Sequence, residues 1–302
     1  DTMSGGEQKD KKTVQWTKEL VSSIDTFIFD CDGVLWRGGE KIPGASETVK
    51  KLMDMGKRVF FVTNNSTKSR KQYVKKIQKF GIPVQNRSQV LSSAFAAAAY
   101  LKSTQFNRKA LVIGHEGIEL ELEEHGIKYV SAEKILQGRQ WETKELLSHT
   151  VDPDIGVVVV GMDLNFSYSK SALAALVTQA NKECFILSTN QDSSYPAGGG
   201  CFLPGAGAAV AHVCTACGME AVNTGKPTPF MFKHLKSSCP ELDLNRTIMV
   251  GDRLNTDMVF GNVGGVKTLL VLSGVTRKTD ISSCKPEECP DYVLSSIGEL
   301  FD

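Results

Sequence analysis

A short apolar run that stops at two aspartates constrains this chain more than any other feature. Thr26–Phe29 is apolar and β-prone, which predicts a buried strand, and Gly33 then breaks the chain. Side chains two apart on a strand share a face, so we expect Asp30 and Asp32 side by side at its carboxyl end, where open α/β sheets bind ligands. Such close carboxylates repel unless a cation or a shared proton intervenes. The pair therefore predicts a Mg²⁺ site or a nucleophile with its acid, although a turn with capping aspartates shows the same letters.

Three later segments complement this first one. The strand-like run Val59–Val62 leads into the hydroxyl and amide cluster 63–67, whose donors suit phosphate oxygens. Lys226 lies between a glycine and a proline, and the strand-like run Thr247–Val250 leads into the aspartate-containing segment 251–257. Each signal is weak alone, because such clusters are usually turns or helix caps. In a parallel sheet all of these strand ends share one edge, so together they predict one site there.

The alternation of strands and helices predicts the fold class. It begins at residue 14 as parallel βαβ units with right-handed crossovers. More than 150 residues separate the hydroxyl cluster from the lysine, too many for a loop, and they alternate on their own. We predict an α/β fold, with a parallel-sheet core formed by 14–102 and 204–302 and a separate α/β lobe, 103–203, inserted between them. Residues 1–13 are polar and predicted to be disordered.

Charge and cysteine usage narrow the class of protein. The 35 basic and 34 acidic residues give no electrostatic case for binding nucleic acid or a membrane, and no apolar run suggests a membrane span or a secretory signal. We therefore expect a cytoplasmic protein, or a plastid one if a transit peptide has been removed, with its eight cysteines as free thiols. Cys214 and Cys217 have redox-like or metal-like spacing, but no second pair joins them, so packing is the expected role.

The four polar segments resemble, in chain order, the four motifs of the haloacid dehalogenase superfamily. The resemblance covers nearly the whole chain after residue 14. It is closest to the eukaryotic phosphoglycolate phosphatases, especially the plant type, and to the related pyridoxal phosphatases. The segments that carry this closer resemblance are 26–34, 61–73, 92–101 and 267–276. It implies a Rossmannoid core, a type C2 cap as the inserted lobe, a small-molecule phosphate ester as substrate and a homodimer formed through the cap.

The carboxylates can be given roles in phosphoester hydrolysis. Asp30 is the expected nucleophile, which forms an aspartyl-phosphate. Asp32 is expected to protonate the leaving alkoxide and then to deprotonate the attacking water. We expect Mg²⁺ on the carboxylates of Asp30 and Asp252, and the resemblance adds the main-chain carbonyl of Asp32. Asp257 would support the metal shell.

The donors and the lysine would hold the phosphoryl group. We expect Thr63, with the backbone amides of Asn64 and Asn65, to bind its oxygens. Lys226 would offset the negative charge of the nucleophile and the phosphoryl group in the transition state.

Substrate choice is expected to come from segment 188–196 of the inserted lobe, which the resemblance places near the substrate. Asn190 and Tyr195 are its candidate substrate-binding residues, because a carboxylate substrate needs donors away from the phosphate. We favour 2-phosphoglycolate as the substrate. Glycerol 3-phosphate, pyridoxal 5′-phosphate and broad activity on p-nitrophenyl phosphate are the alternatives.

The same residues argue against several other functions. A haloacid dehalogenase needs no second aspartate, because a halide leaving group takes no proton, whereas Asp32 is present here. A transport ATPase would carry membrane helices, and a phosphomutase usually has a smaller cap. A binding or scaffold protein on an inactive phosphatase fold would lack the nucleophile, the acid, the lysine or a metal ligand. All four are present, so the sequence favours a hydrolase.

Overall fold

The computed structural model describes residues 14–198 and 201–302, so the disorder predicted for 1–13 lies outside the described residues. It divides into two compact units. The first unit comprises Asp1–Val59 and Glu241–Asp302, and the second comprises Phe60–Pro240. Across the described residues, no helix is both long enough and apolar enough to span a bilayer.

The predicted α/β class is confirmed by two sets of parallel strands with helices between them. The strands are β1 (Val14–Gln15), β2 (Thr26–Phe29), β3 (Trp36–Arg37), β4 (Glu40–Lys41), β5 (Arg58–Thr63), β6 (Val90–Ser92), β7 (Lys109–Ile113), β8 (Tyr129–Ser131), β9 (Ile155–Val160), β10 (Phe185–Ser188), β11 (Ser194–Gly198), β12 (Cys201–Pro204), β13 (Ala221–Asn223), β14 (Thr247–Gly251), β15 (Lys267–Val271) and β16 (Tyr292–Leu294).

The α-helices are α1 (Ala45–Asp54), α2 (Arg70–Lys79), α3 (Ser93–Ser103), α4 (Glu116–Glu124), α5 (Ala132–Leu136), α6 (Thr143–Ser148), α7 (Tyr168–Ala180), α8 (Ala206–Cys217), α9 (Pro229–Ser238) and α10 (Val259–Gly264). A single π-helical turn, Leu254–Met258, precedes α10. Short 3₁₀ turns occur at Lys18–Ser23, Arg87–Gln89, Leu244–Arg246, Lys278–Ser283, Pro286–Glu288 and Ile297–Glu299.

In the first unit, β1, β16, β15, β14 and β2 lie side by side in this order, and each neighbouring pair is parallel. β2 and β14 are buried at every residue, as expected for strands covered on both faces. Their register pairs Phe29 with Val250, so the two strands end level with each other. The residues that follow them, Asp30 and Asp252, therefore leave the sheet at the same edge.

The second unit contains a five-stranded parallel sheet in the order β13, β10, β9, β7, β8. β9 is valine-rich and entirely buried, which again indicates a strand covered on both faces. The alanine-rich α3 packs with α4 in one core cluster of this unit. α5, α7 and α8 contribute to a second core cluster. In the same unit, β5 pairs with β6 in parallel, with Phe61 opposite Val90.

The predicted boundaries of the inserted lobe are corrected by these contacts. We expected the chain to return to the core at residue 204, but β13 pairs with β10 in the five-stranded sheet. Ala209, Val210 and Val213 of α8 are buried in the core of the second unit. The physical reason is that the apolar face of α8 needs a sheet to cover it, and this sheet is the one it packs on. At the other end, α3 belongs to the core of the second unit, although we assigned it to 14–102.

The expectation of eight free thiols is wrong at two positions. Cys284 and Cys289 form a disulfide, because a tight turn between them brings their Cα atoms within 5.8 Å. The other six cysteines are thiols outside this disulfide. Cys214 and Cys217 pack against the second core cluster, and burial raises the pKa of both thiols. Their environment is therefore that of packing residues.

Candidate active site

Three carboxylates of the first unit form a buried cluster, which we call the carboxylate cluster: Asp30, Asp252 and Asp257. One oxygen of each lies within 4.8 Å of the others. Asp30 follows β2, and its backbone N–H donates to the carbonyl of Val250 at 2.8 Å, which continues the strand pairing by one residue. Asp252 follows β14, and Asp257 lies in the π-helical turn Leu254–Met258.

Backbone N–H groups fix two members of the carboxylate cluster. One oxygen of Asp257 accepts from the N–H groups of Asp252 and Arg253, both at 3.1 Å. One oxygen of Asp252 accepts from the N–H of Val275 at 2.7 Å. These contacts hold the two carboxylates in fixed orientations within the cluster.

Glycines make room for these carboxylates. A Cβ atom at Gly251 would lie 2.1 Å from the Cβ of Asp257, and one at Gly274 would lie 1.9 Å from an oxygen of Asp252. Gly33 has φ +93°, and a Cβ there would lie 2.4 Å from the same Asp252 oxygen. Side chains at these positions would therefore push the cluster apart.

The carboxylate cluster fits a hard divalent cation. Three buried carboxylates repel one another unless positive charge is added, and their all-oxygen donor set suits Mg²⁺ better than it suits zinc. The structure thus brings together three of the four predicted metal-binding residues by their carboxylates. The fourth, Asp32, was assigned through its main-chain carbonyl, and that role stays a prediction.

The carboxylate of Asp32 has a different environment. Its Oδ1 accepts a hydrogen bond of 2.7 Å from the indole Nε1 of Trp36, which is fully buried. Asp32 itself is half-buried. The indole fixes the orientation of this carboxyl, as a general acid requires. Trp36 was not among the predicted site residues, although its position four residues after Asp32 was the available signal.

In the second unit, the end of β5 forms a tight loop. Thr63 is buried, and its Oγ1 accepts from the N–H of Asn65 at 3.2 Å. Asn65 in turn accepts from the N–H and the hydroxyl of Thr67 at 2.9 and 2.7 Å. These local bonds hold the predicted phosphate-binding residues in a fixed turn. The Asn65 amide, expected to bind phosphate, donates here to Thr63, and its phosphate contact stays a prediction.

Lys226 is buried in the second unit, with 2% of its surface exposed. Its Nζ donates to the carbonyl of Val62 at 3.0 Å. Its backbone is held by the side chain of Asn64, which accepts from the Lys226 N–H at 2.8 Å and donates to the Lys226 carbonyl at 3.1 Å. Lysine binds phosphate as a point charge, so the fixed position of this ammonium group suits an anion.

The two predicted cap residues differ in their surroundings. The Asn190 amide donates to the carbonyl of Asn64 at 2.6 Å, and its oxygen accepts from the N–H of Asp192 at 3.0 Å. This side chain therefore supports the loop after β5, and its role as a substrate donor stays a prediction. Tyr195 is half-buried on β11, opposite Leu203 of β12, and its role in substrate choice stays a prediction.

Comparisons with known proteins agree on one family. Residues 27–128 match the family profile described as haloacid dehalogenase-like hydrolase, and residues 223–300 match one described as HAD-hydrolase-like. The chain is 42% identical to phosphoglycolate phosphatase 1A, chloroplastic, of Arabidopsis thaliana, over 93% of this chain and 78% of that protein.

Two further relatives carry another substrate in their names. The chain is 35% identical to the glycerol-3-phosphate phosphatase of Gallus gallus, over 98% of this chain and 97% of that protein. Among solved structures, it is similar to the glycerol phosphate phosphatase of Mycobacterium tuberculosis in complex with magnesium. The TM-score is 0.76 at 26% identity, with 96% of this chain and 79% of that chain covered.

Proposed function

Because the chain belongs to the haloacid dehalogenase-like hydrolases and is a phosphoric monoester hydrolase, we propose that it is a Mg²⁺-dependent phosphatase of 2-phosphoglycolate. The observation that carries this proposal is the carboxylate cluster, which includes the predicted nucleophile Asp30 and whose three oxygens lie within 4.8 Å of one another. Carboxylates gathered in this way suit a divalent cation.

The proposed reaction has two steps. A carboxylate oxygen of Asp30 attacks phosphorus, and the leaving alkoxide takes a proton from Asp32. Water then attacks the aspartyl-phosphate and gives its proton to Asp32, which releases phosphate and restores the Asp30 carboxylate. The hydrogen bond from Trp36 keeps the Asp32 carboxyl in one orientation through both steps.

The charged groups around the phosphate have separate roles. Asp30, Asp252 and the Asp32 carbonyl would hold Mg²⁺, with Asp257 supporting the metal shell. When bound, the ion supplies positive charge that offsets the phosphate oxygens. Thr63, with the loop amides beside it, would bind phosphoryl oxygens.

Lys226 would add the second positive charge near the phosphoryl group. The turn after β5 fixes the Thr63 hydroxyl by its bond to Asn65. Donors that are already oriented cost little reorganisation when the negative charge develops, which favours the transition state.

The choice of phosphoglycolate is supported by the 42% identical relative that carries this substrate in its name. Glycerol 3-phosphate is the second candidate, because the chicken relative named for it is covered almost completely. Pyridoxal 5′-phosphate and broad activity are further alternatives. We also propose a homodimer formed through the inserted lobe, and a cytoplasmic or plastid location.

A substrate panel tests the proposal directly. The purified protein would be assayed with Mg²⁺ against 2-phosphoglycolate, glycerol 3-phosphate, pyridoxal 5′-phosphate, p-nitrophenyl phosphate and a phosphotyrosine peptide. We expect the highest kcat/KM for phosphoglycolate. A higher value for another ester would reassign the substrate, and no turnover of any ester would refute the phosphatase assignment.

The role of Tyr195 in substrate choice needs its own variant. Losing one hydrogen bond to a charged group costs about 1.5–3 kcal/mol, so we expect Tyr195→Ala to lower kcat/KM for phosphoglycolate by roughly ten- to a hundredfold. p-Nitrophenyl phosphate lacks the carboxylate and should be much less affected. If both substrates decline in parallel, Tyr195 is a packing residue.

A further inference from the structure

Asp192 is a carboxylate of the second unit that the sequence analysis did not single out, and it binds the side chain that holds Lys226. It lies between β10 and β11, and its two oxygens are 3.1 and 3.2 Å from the Asn64 Nδ2. Asn64 is buried. We call Asn64, Asp192 and Lys226 the lysine network.

Asn64 can hold the Lys226 backbone in one orientation only. Its Oδ1 must face the Lys226 N–H, and its Nδ2 must face the Lys226 carbonyl. An ionised carboxylate accepts hydrogen bonds and donates none. Asp192 therefore favours the orientation in which Nδ2 points toward it, and this is the orientation that Lys226 requires.

The segment that carries Asp192 is itself fixed. The N–H of Gly207, in the first turn of α8, donates to the Asp192 carbonyl at 2.9 Å, and the N–H of Gly205 donates to the carbonyl of Ser193 at 2.9 Å. A Cβ atom at Gly205 would lie 2.2 Å from the Asp192 carbonyl oxygen, so the two segments are in close contact. The Asp192 carboxylate is thus presented from a backbone held by α8.

Asn190 strengthens the same arrangement from the other side. Its amide donates to the Asn64 carbonyl, and its oxygen accepts from the Asp192 N–H. A Cβ atom at Gly225 would lie 2.9 Å from the Asn64 Oδ1, so glycine at this position lets the Lys226 segment approach Asn64. Three segments far apart in sequence therefore meet at one amide side chain.

We propose that Asp192 is a positioning residue for the catalytic lysine, which acts by orienting Asn64 so that this side chain holds the Lys226 backbone. The catalytic consequence rests on the proposed phosphatase function. Asp192 touches neither the substrate nor the metal in this proposal.

The kinetic test compares Asp192→Ala and Asp192→Asn with the wild-type protein on p-nitrophenyl phosphate. We expect Asp192→Ala to lower kcat by about ten- to a hundredfold, the loss typical of a hydrogen bond to a charged group, with a smaller change in KM. Asparagine keeps an oxygen acceptor, so Asp192→Asn should recover most of this loss. Wild-type kcat in Asp192→Ala would overturn the proposal.

The matched control is Asp152→Asn, which removes a carboxylate that pairs with Lys109 at 2.7 Å in the same unit. It makes the same chemical change away from the lysine network, and we expect wild-type kcat. A loss equal to that of Asp192→Ala would mean that any weakened ion pair in this unit lowers activity, which would also overturn the proposal.

Hydrogen exchange of the Lys226 amide gives a readout that does not depend on turnover. This N–H is protected by Asn64 Oδ1, so Asp192→Ala should accelerate its exchange and Asp152→Asn should not. Unchanged exchange in Asp192→Ala refutes the positioning role. A wild-type protein that hydrolyses no ester refutes instead the phosphatase assignment, so the two failures are distinguishable.

If Asp192→Ala does not fold, Asp192→Leu tests the same contact, because leucine keeps the size of the side chain and removes both oxygen acceptors. We expect the same loss of kcat and the same faster exchange of the Lys226 N–H as for Asp192→Ala. Wild-type kcat and wild-type exchange in Asp192→Leu would overturn the proposal.

Discussion

In the unit that carries Asp30, neighbouring strands bring the functional groups together, whereas in the unit that carries Lys226 distant side chains do so. The carboxylate cluster follows the level ends of β2 and β14 and is held by backbone N–H groups. The lysine network joins three segments, at positions 64, 192 and 226, through one amide. The first arrangement depends on backbone geometry and small residues, and the second depends on the identity of single side chains.

The largest expected effect tests whether the first unit supplies the nucleophile. Only a carboxylate at position 30 can form the acyl phosphate, so we expect Asp30→Asn to lose both turnover and trapped phosphoenzyme. Circular dichroism should show an unchanged fold. Retention of a few per cent of wild-type activity, with contamination excluded, would assign the nucleophile to another residue. The contrast between a unit that supplies the nucleophile and a unit that supplies the lysine would then fail.

Metal removal should be nearly as severe. Activity should disappear in EDTA and return with added Mg²⁺, and Asp252→Ala should lower it at every Mg²⁺ concentration, because the cluster loses one of three oxygen ligands. Ca²⁺ should inhibit, since its looser and higher coordination lets Asp30 bind through both oxygens and prevents in-line attack. Full activity in rigorously metal-free buffer would contradict the assignment of the carboxylate cluster.

The carboxylate cluster was predictable from sequence because its signal is local. Asp30 and Asp252 each follow an apolar run that the structure confirms as a strand, β2 with the predicted bounds and β14 one residue longer. Parallel strands end at one edge, so knowing the strands was enough to expect these two aspartates together. Gly274 carries no such signal. A glycine is required at this position because Asp252 lies against it, and that contact is not visible in the sequence.

The lysine network and the lobe boundary depend on tertiary contacts that no local pattern shows. α8 is an apolar helix, and an apolar helix does not reveal which sheet will cover it. β13 has three residues, which is too few to show the alternation of apolar and polar residues that is typical of a strand. Asp192 looks like an ordinary loop aspartate, and its contact with Asn64 spans 128 positions. Likewise, Cys284 and Cys289 could be paired only once the turn between them was known.

A matched pair of glycine variants sharpens the claim that close packing sets the carboxylate cluster. A Cβ at Gly274 would lie 1.9 Å from an Asp252 oxygen and 2.4 Å from its Cβ, so the aspartate must move. We expect Gly274→Ala to raise the Mg²⁺ concentration for half-maximal activity and to reduce the shift of Tm caused by Mg²⁺. Gly39→Ala is the control, since a Cβ there meets nothing within 4 Å. Equal behaviour of the two variants would refute the packing argument.

The smallest effect is expected from ion pairs at the amino-terminal ends of the strands. One pair in each unit can be compared through its contribution to Tm. In the first unit, Asp25 accepts two hydrogen bonds from Arg246, which lower its pKa, and Lys57 and Arg58 add to this. In the second unit, Asp152 accepts one bond from Lys109, which lowers its pKa together with the N–H of Asp154.

A carboxyl group whose pKa is lower in the folded state stabilises the fold above its unfolded pKa, about 3.9 for aspartate, and this contribution is lost as the pH falls through the folded value. We therefore expect Asp25→Asn and Asp152→Asn to lower Tm at pH 7 and to approach the wild-type Tm near pH 3. The difference at pH 7 should be larger for Asp25, because the two-bond contact with a guanidinium is the stronger one. Both differences should be small, since these pairs are partly exposed to solvent and screened by salt. Thermal denaturation of the three proteins at pH 7, 5 and 3 provides the measurement. A difference in Tm that stays constant with pH would show that the aspartates act through packing, and a larger difference for Asp152 would reverse the comparison between the units.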